Sequence, residues 1–337
     1  MTRATVVETD DLRWDDFGQE EADPYCGREY LAAVSSASGS RAILVVVEGP
    51  EWRAQYQLLL QPLPRDRWLA RTPEYGGPSI FLTRADAAPA LAREAALICR
   101  QAVDEALAGQ GVISEVFLLS PWLPHRQVVA AAWSAGEGKP VCLVHGVDQP
   151  ERWSRLRKGR RSDITRARRE LDLSWGVFDA PAALQFAYHY QRAMDACGAA
   201  ERWRFDDAWF QTLAEQADGR LLAATADGTY GGATALFLTG HARAAYFLAT
   251  RWGEAPGAAS LALWTGIAEL VQAGVTGVTL GGGASDDDND PVLSFKRSFA
   301  DEEVPLLLGA RVFDTIAHDE AVAVGQARPL PPGAVAA

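Results

Sequence analysis

Apolar positions change their spacing along this chain, and the changes mark out its elements. Ala42–Val47 (AILVVV) is wholly apolar and half β-branched, the pattern of a buried strand. A turn at Gly49-Pro50 separates it from a second strand, Tyr56–Leu60. Trp68–Arg71 and Val112–Leu119 are further strands, and Val141–Val144 reads as the last strand of the first half. Ala87–Gly109 spaces Leu91, Ala95, Ile98 and Val103 at helical intervals, and Pro24–Val34 is a short helix after a turn. The second half opens near Gln149-Pro150. It predicts one long basic helix over Arg152–Leu171, then helices Ala182–Met194 and Asp206–Gln216, the last N-capped by Asp206. Strands Leu221–Ala226 and Gly231–Leu238 meet across Asp227-Gly228, a hairpin signal, and Ala244–Thr250 follows. The loop Arg251–Pro256 leads to a helix over Gly257–Ala273 and a strand, Val278–Leu280, ending in Gly281-Gly282-Gly283. Leu293–Phe299, an amphipathic stretch around Val312–Val324 and a Pro/Gly-rich end expected to fray complete the chain.

Both halves run helix, β-meander, helix, strand, a coarse sign of duplication, with no short period that would indicate a solenoid. A length of 337 residues fits one large domain or two ordinary ones. The expectation is two α/β (α+β) domains with mixed, twisted sheets, at 1–147 and 148–309. The segment 310–337 is expected to pack back on the first domain.

Composition narrows the function. A net charge of −12 repels phosphate backbones over most of the surface, so any nucleic-acid contact needs a local basic patch, and DNA is not an expected partner. No apolar run is long enough to span a bilayer, and the first residues are acidic where a signal peptide is apolar, so the expected location is the cytoplasm. Cys26, Cys99, Cys142 and Cys197 form no CxxC pair, and the five histidines no HxxxH or HExxH motif, which argues against a metal site.

Tyr246 to Leu280 forms a strand-loop-helix-strand unit with small residues, Gly257, Ala258 and Ala259, at the helix start. Unpaired first-turn N–H groups there can hold an anion or a carbonyl oxygen; taken alone, a tight loop satisfied by water or Ser260 is the plainer reading. Four further segments occur with it in order. They are Tyr75-Gly76-Gly77-Pro78, the basic run Leu156–Ala167 (LRKGRRSDITRA), Leu280-Gly281-Gly282-Gly283, and Ser294-Phe295-Lys296-Arg297-Ser298-Phe299. Together these resemble the FemX/FemAB peptidyltransferases of the GNAT (N-acetyltransferase) superfamily. The last segment resembles that family's FKxxFG motif, with Ala300 in place of the glycine. The resemblance spans roughly Tyr25 to Phe313. It implies two GNAT-like halves in tandem, of the compact FemX type without a coiled-coil insertion, that form an amide bond on an amine.

The resemblance gives Lys296 a transition-state or substrate-binding role. A fixed cation aimed at the oxyanion of a tetrahedral intermediate lowers the barrier, and Phe295 and Phe299 would flank and partly desolvate it. The plainer reading is a surface lysine on a strand edge. Asp290, in the acidic run Asp286–Pro291, either belongs to a solvated loop or holds the attacking ammonium and accepts its proton. That run lacks the spacing of a calcium loop. Tyr246 and Arg251 either contact substrate or are ordinary strand-end residues. Arg71 and Tyr75 are candidate acceptor contacts in the first half.

Arg157, Lys158, Arg160 and Arg161 lie in the one strong basic patch; they are candidates to bind phosphate, either the acceptor stem of a tRNA or a nucleotide-linked acceptor, or else form a solvated helix face that pairs with acids elsewhere. The expected co-substrate is aminoacyl-tRNA, with no bound cofactor. Acyl-CoA is the alternative donor, disfavoured because the Arg251–Ala259 loop has only Gly253 and Gly257 and because Pro256 lacks an N–H. A non-catalytic GNAT-like binding protein is the reading from another class.

Overall fold

The computed structural model describes residues 3–11, 13–14, 23–82, 89–146, 149–285, 287, 289–330 and 335–336. In chain order the elements begin β1 (Arg3–Glu8), α1 (Arg28–Ser38), β2 (Arg41–Glu48), β3 (Trp52–Leu63), β4 (Arg67–Arg71) and β5 (Ser79–Leu82). Next come α2 (Pro89–Gly109), β6 (Val112–Leu119), α3 (Arg126–Trp133), β7 (Gly136–His145), α4 (Gln149–Arg155), α5 (Lys158–Glu170) and β8 (Asp172–Val177). α6 (Ala180–Ala196), α7 (Asp207–Gln216), β9 (Leu221–Gly228), β10 (Gly231–Thr239), β11 (Arg243–Gly253) and α8 (Ala258–Gln272) follow. The last are β12 (Gly277–Gly281), α9 (Pro291–Arg297), β13 (Glu302–Val312), α10 (Thr315–Ala323) and β14 (Val335–Ala336).

The chain divides into two compact units, one of residues 1–139 and 305–337, the other of residues 140–304. In the first, the sheet order is β1-β2-β3-β4-β6-β13. β4 and β6 are parallel, the geometry that a helical crossover such as α2 permits, and the remaining pairs along that order are antiparallel. Ile43, Val45, Tyr56 and Leu58 pack against Ala95, Cys99 and Val103 of α2 and Trp133 of α3. In the second unit the order is β7-β12-β11-β10-β9-β8. α8 and α5 cover one face, through Leu261, Trp264 and Ile267 and through Ile164 and Ala167. α6 and α7 meet the other face, where His189 stacks on Trp252 at 4.1 Å.

Several expectations change. The single basic helix is two, α4 and α5, with Arg157 extended between them (φ −61°, ψ 147°). No glycine or proline breaks it there. Leu156 is drawn into the core while Arg152 and Arg155 are held by the Asp301 carboxylate at 3.3 and 3.1 Å. Most of Leu293–Phe299 lies in a helix, Pro291–Arg297, so Lys296 is not on a strand edge. The amphipathic stretch near Val312–Val324 is the end of β13 followed by α10, N-capped by Asp314. The division between the two units falls within β7 and β13. Cys142–His145 pair with β12, and Leu307–Val312 pair with β6.

The first unit buries an ion cluster that hydrophobic periodicity does not reveal. Arg100 and Glu115, 3% and 1% exposed, face each other at 3.0 Å, with Asp104 2.7 Å from Arg100. The Tyr56 hydroxyl donates to Glu115, and the guanidinium lies 4.4 Å from the Trp133 ring centroid. Removing one member strands a buried charge, which is far worse than removing both. Glu115→Ala is therefore expected to lower stability by about 3–5 kcal/mol, and Arg100→Met with Glu115→Leu by less. Urea unfolding of the three proteins checks this; a smaller loss in the single variant than in the double would contradict it.

Candidate active site

β11 and β12 run parallel for three residue pairs, Arg243 with Gly277, Ala244 with Val278 and Ala245 with Thr279, and then part. A register shift between Ala235 and Phe237 on β10 adds a residue to β11 at this point, and β12 shifts against β7 between Thr279 and Gly281. Such bulges bend strands and end pairing. Tyr246 borders the opening from β11, and the triplet Gly281–Gly283 borders it from the end of β12. Gly281 has φ 78°, which favours glycine, and a Cβ on Gly283 would come 2.9 Å from the Asp290 carboxyl carbon.

α9 starts at this loop. Pro291 at its first position needs no N–H partner, and Asp290 caps it. Asp290, 2% exposed, accepts from Leu293 N at 2.8 Å through Oδ1. Its Oδ2 accepts from Ala284 N at 2.9 Å, Ser285 N at 2.6 Å and Ser285 Oγ at 2.8 Å. Burial alone would raise its pKa; the donors from Leu293, Ser285 and Ala284 outweigh burial and hold it at about 2. Both oxygens are engaged by its own loop, and so acidic a carboxyl is a weak base.

Lys296 lies in the last turn of α9 and reaches back across the opening. Its Nζ donates to Gly282 O at 2.7 Å and stands 5.7 Å from the centroid of the Tyr246 ring. Burial lowers its pKa from 10.5 to about 8, opposed by Cys142 and Asp290. Neither group it touches is an anion. Burial pushes the Tyr246 hydroxyl up, and that hydroxyl has no hydrogen-bond partner among the described residues. Lys296, Asp290 and Tyr246 are thus brought together, with Phe295 beside them on α9, 5.3 Å from Phe299. Arg251, exposed on β11 across from Ala233, has no partner among the described residues.

The basic candidates separate onto two sides of α5. Lys158 and Arg161 line a groove of about 450 Å³ together with Trp153, Thr165, Arg166 and Arg169. Trp153, Thr165, Arg166 and Arg169 were not among the candidate phosphate ligands. For Thr165 and Arg169 the signal was the spacing 158, 161, 165, 169, which places four residues on one face of α5. Arg157 is exposed at the N-cap. Arg160 is turned inward and bonded to Ser260 and Ser298, apart from that groove. The start of α8 is crowded. A Cβ on Gly257 (φ 85°) would fall 2.7 Å from Asp163 O of α5, and Glu254 N and Ala258 N already donate to Tyr230 O and Ala255 O. In the first unit, Arg71 lies 3.9 Å from Glu74, and Tyr75 packs at 5.9 Å against Tyr25. That loop is tight: a Cβ on Gly77 would come 2.3 Å from Leu118 O.

No family model and no curated protein matches the sequence. Solved structures do match in fold. FemX superposes with TM-score 0.68 at 12% identity, covering 91% of this chain and 96% of FemX. The C-terminal domain assigned to a lysylphosphatidylglycerol synthetase of Agrobacterium fabrum gives TM-score 0.51 at 15% identity, covering 94% of this chain and 97% of that one. L-PGS from Bacillus licheniformis gives 0.50 at 12% identity, over 89% and 91%. Among the described residues no helix is long and apolar enough to cross a membrane. The chain therefore has the fold of FemX, the fold its motifs led one to expect, divided into two compact α/β units.

Proposed function

We propose that the protein is an acyltransferase that forms an amide bond on an amine-bearing acceptor, with aminoacyl-tRNA as donor and Lys296 as its catalytic residue. The observation that carries this reading is the Lys296 ammonium, half-buried where β11 and β12 part and held by a carbonyl and a ring rather than a carboxylate. A cation so placed retains its charge for a partner that becomes anionic during the reaction.

The amine nitrogen attacks the ester carbonyl carbon of the aminoacyl group, and the carbonyl oxygen becomes an oxyanion beside Lys296 Nζ. The carbon–oxygen bond to the ribose then breaks, the nitrogen gives up a proton, and the ribose oxygen takes one. The products are an amide and a tRNA with a free hydroxyl. The ester is already activated, so the protein supplies position and charge. Tyr246 Oη is a second donor toward the same oxygen, and Asp290 acts by holding the loop. Arg251 is proposed to contact the donor, Phe295 to shield Lys296, and Arg71 and Tyr75 of the first unit to contact the acceptor. Arg157, Lys158 and Arg161 are proposed to bind tRNA phosphates, and the basic groove supports this. The crowded start of α8 offers few open N–H groups to a pyrophosphate, which favours tRNA over acyl-CoA.

Three measurements test the reading. Bulk aminoacylated tRNA is expected to bind saturably while acetyl-CoA gives no response; the reverse result would move the protein to acyl-CoA chemistry. Lys296→Ala is expected to slow turnover by about 100–1,000-fold with an unchanged circular dichroism spectrum. Because the ammonium form is the active one, wild-type kcat should fall as pH rises through about 8, and Lys296→Arg should move that limb upward. Wild-type rates in Lys296→Ala would end the mechanism. Lys158→Glu with Arg161→Glu should weaken tRNA binding more at low salt than at high salt, and a salt-independent loss would make the patch structural.

A further inference from the structure

Beside the outward-facing Lys158 and Arg161, α5 carries a cation that faces inward. The Arg160 side chain is 21% exposed. Its Nε donates to Ser298 Oγ at 3.0 Å and its Nη1 to Ser260 Oγ at 2.7 Å. The guanidinium carbon stands 5.0 Å from the Phe295 ring centroid and 5.2 Å from that of Phe299. The nearest carboxylate, Asp163, is 3.8 Å away on the same helix. Ser298 in turn donates to Phe295 O at 2.6 Å and caps the end of α9. One side chain therefore joins α5, the first turn of α8 and the end of α9. Two of the rings and hydroxyls it touches, Phe295 and Ser298, bracket Lys296 in sequence.

We infer that Arg160 is a positioning residue for Lys296, pinning α9 so that Nζ reaches across the strand opening, and that it is not a phosphate ligand. A planar guanidinium carries several donors in a fixed fork and stacks on aromatic faces, so it can bind both hydroxyls while lying over both rings. A lysine ammonium is a single point and cannot span them. Burial already lowers the pKa of Arg160, so this location disfavours a free charge and is retained through its contacts. Lys296 depends on the orientation of α9 in a direct way. Its surroundings are Gly282 O from the loop after β12, the Tyr246 ring from β11, Cys142 from β7 and the capping Asp290. A tilt of α9 would lift Nζ from the carbonyl and ring and return it to water.

The catalytic consequence rests on the acyltransfer reading, but the placement can be tested without turnover. The chain has only three lysines, Lys139, Lys158 and Lys296, so 13C-lysine labelling gives three side-chain signals, assigned with Lys139→Arg and Lys158→Arg. In the wild type the Lys296 signal should titrate near 8. Arg160→Ala should move it at least one pH unit toward 10.5, and Arg160→Lys should not restore it. Ser260→Ala with Ser298→Ala, which leaves the guanidinium in place, should move it in the same direction and keeps the test open if Arg160→Ala does not fold. Affinity for bulk tRNA should stay within about twofold in Arg160→Ala, whereas Lys158→Glu with Arg161→Glu loses it. An unmoved Lys296 titration in every folded variant, or a tRNA loss in Arg160→Ala matching the charge reversal, overturns the inference. If wild-type protein shows no transfer at all while the titration behaves as stated, the positioning stands and the acyltransfer reading falls.

Discussion

The candidate site is referenced to one carboxylate. Asp290 takes four donors, one from the start of α9 and three from the loop that follows β12. An ionised carboxyl offers only acceptor sites, so it gathers donors from whichever backbone lies near and fixes their relative places. Here those places are the helix that carries Lys296 and the loop that carries its carbonyl partner, Gly282 O. Both ends of the Lys296 hydrogen bond are thereby set by the same group. The small residues of the loop follow from this, since a side chain on Gly283 would displace the carboxylate.

The second constraint is how each internal cation is neutralised. Arg100 and Arg152 have carboxylates within 3.0 and 3.3 Å. Arg160 is held mainly by two hydroxyls and two aromatic rings. Lys296 has a carbonyl and a ring, while the lone pairs of the nearest carboxylate, Asp290, are directed to its own loop. These environments differ in function as well as in chemistry. A cation matched to a carboxylate is structurally settled, whereas one matched to dipoles and a quadrupole still gains from the arrival of negative charge. Burial without an ion partner is also what lowers the Lys296 pKa toward neutrality.

Much of this was legible in the residues. A wholly apolar run gave β2, the Asp-Gly pair gave the β9–β10 hairpin, and the FKxxFG-like segment drew attention to Lys296. What escaped reading depends on tertiary contact. β8 has a largely exposed edge pattern with weak alternation, and α3 is a short helix in a stretch without a cap signal. The break at Leu156-Arg157 has no breaker residue and arises from burial and from Asp301. Asp290 and Arg160 were found as chemistry-bearing residues, but their direction was not. A cap position and an inward helix face are decided by where the next element packs. Arg100 and Glu115 left a trace that could have been used, a lone charge in each of two otherwise apolar faces, of opposite sign.

The first unit is discontinuous in sequence, with the part of β13 that pairs with β6, Leu307–Val312, encoded after the whole of 140–304. Synthesis proceeds from the N-terminus, so β6 emerges with β4 beside it but without the strand that pairs with its Leu119–Ser114 edge. At about 5–20 residues per second, the missing neighbour arrives on the order of ten to forty seconds later. For that interval an apolar strand edge stands open on a nascent chain, while the second unit can already fold on its own contacts. Production of this protein is thus a race between elongation and mispairing at one edge, and slow translation through the second unit lengthens the exposure of the first.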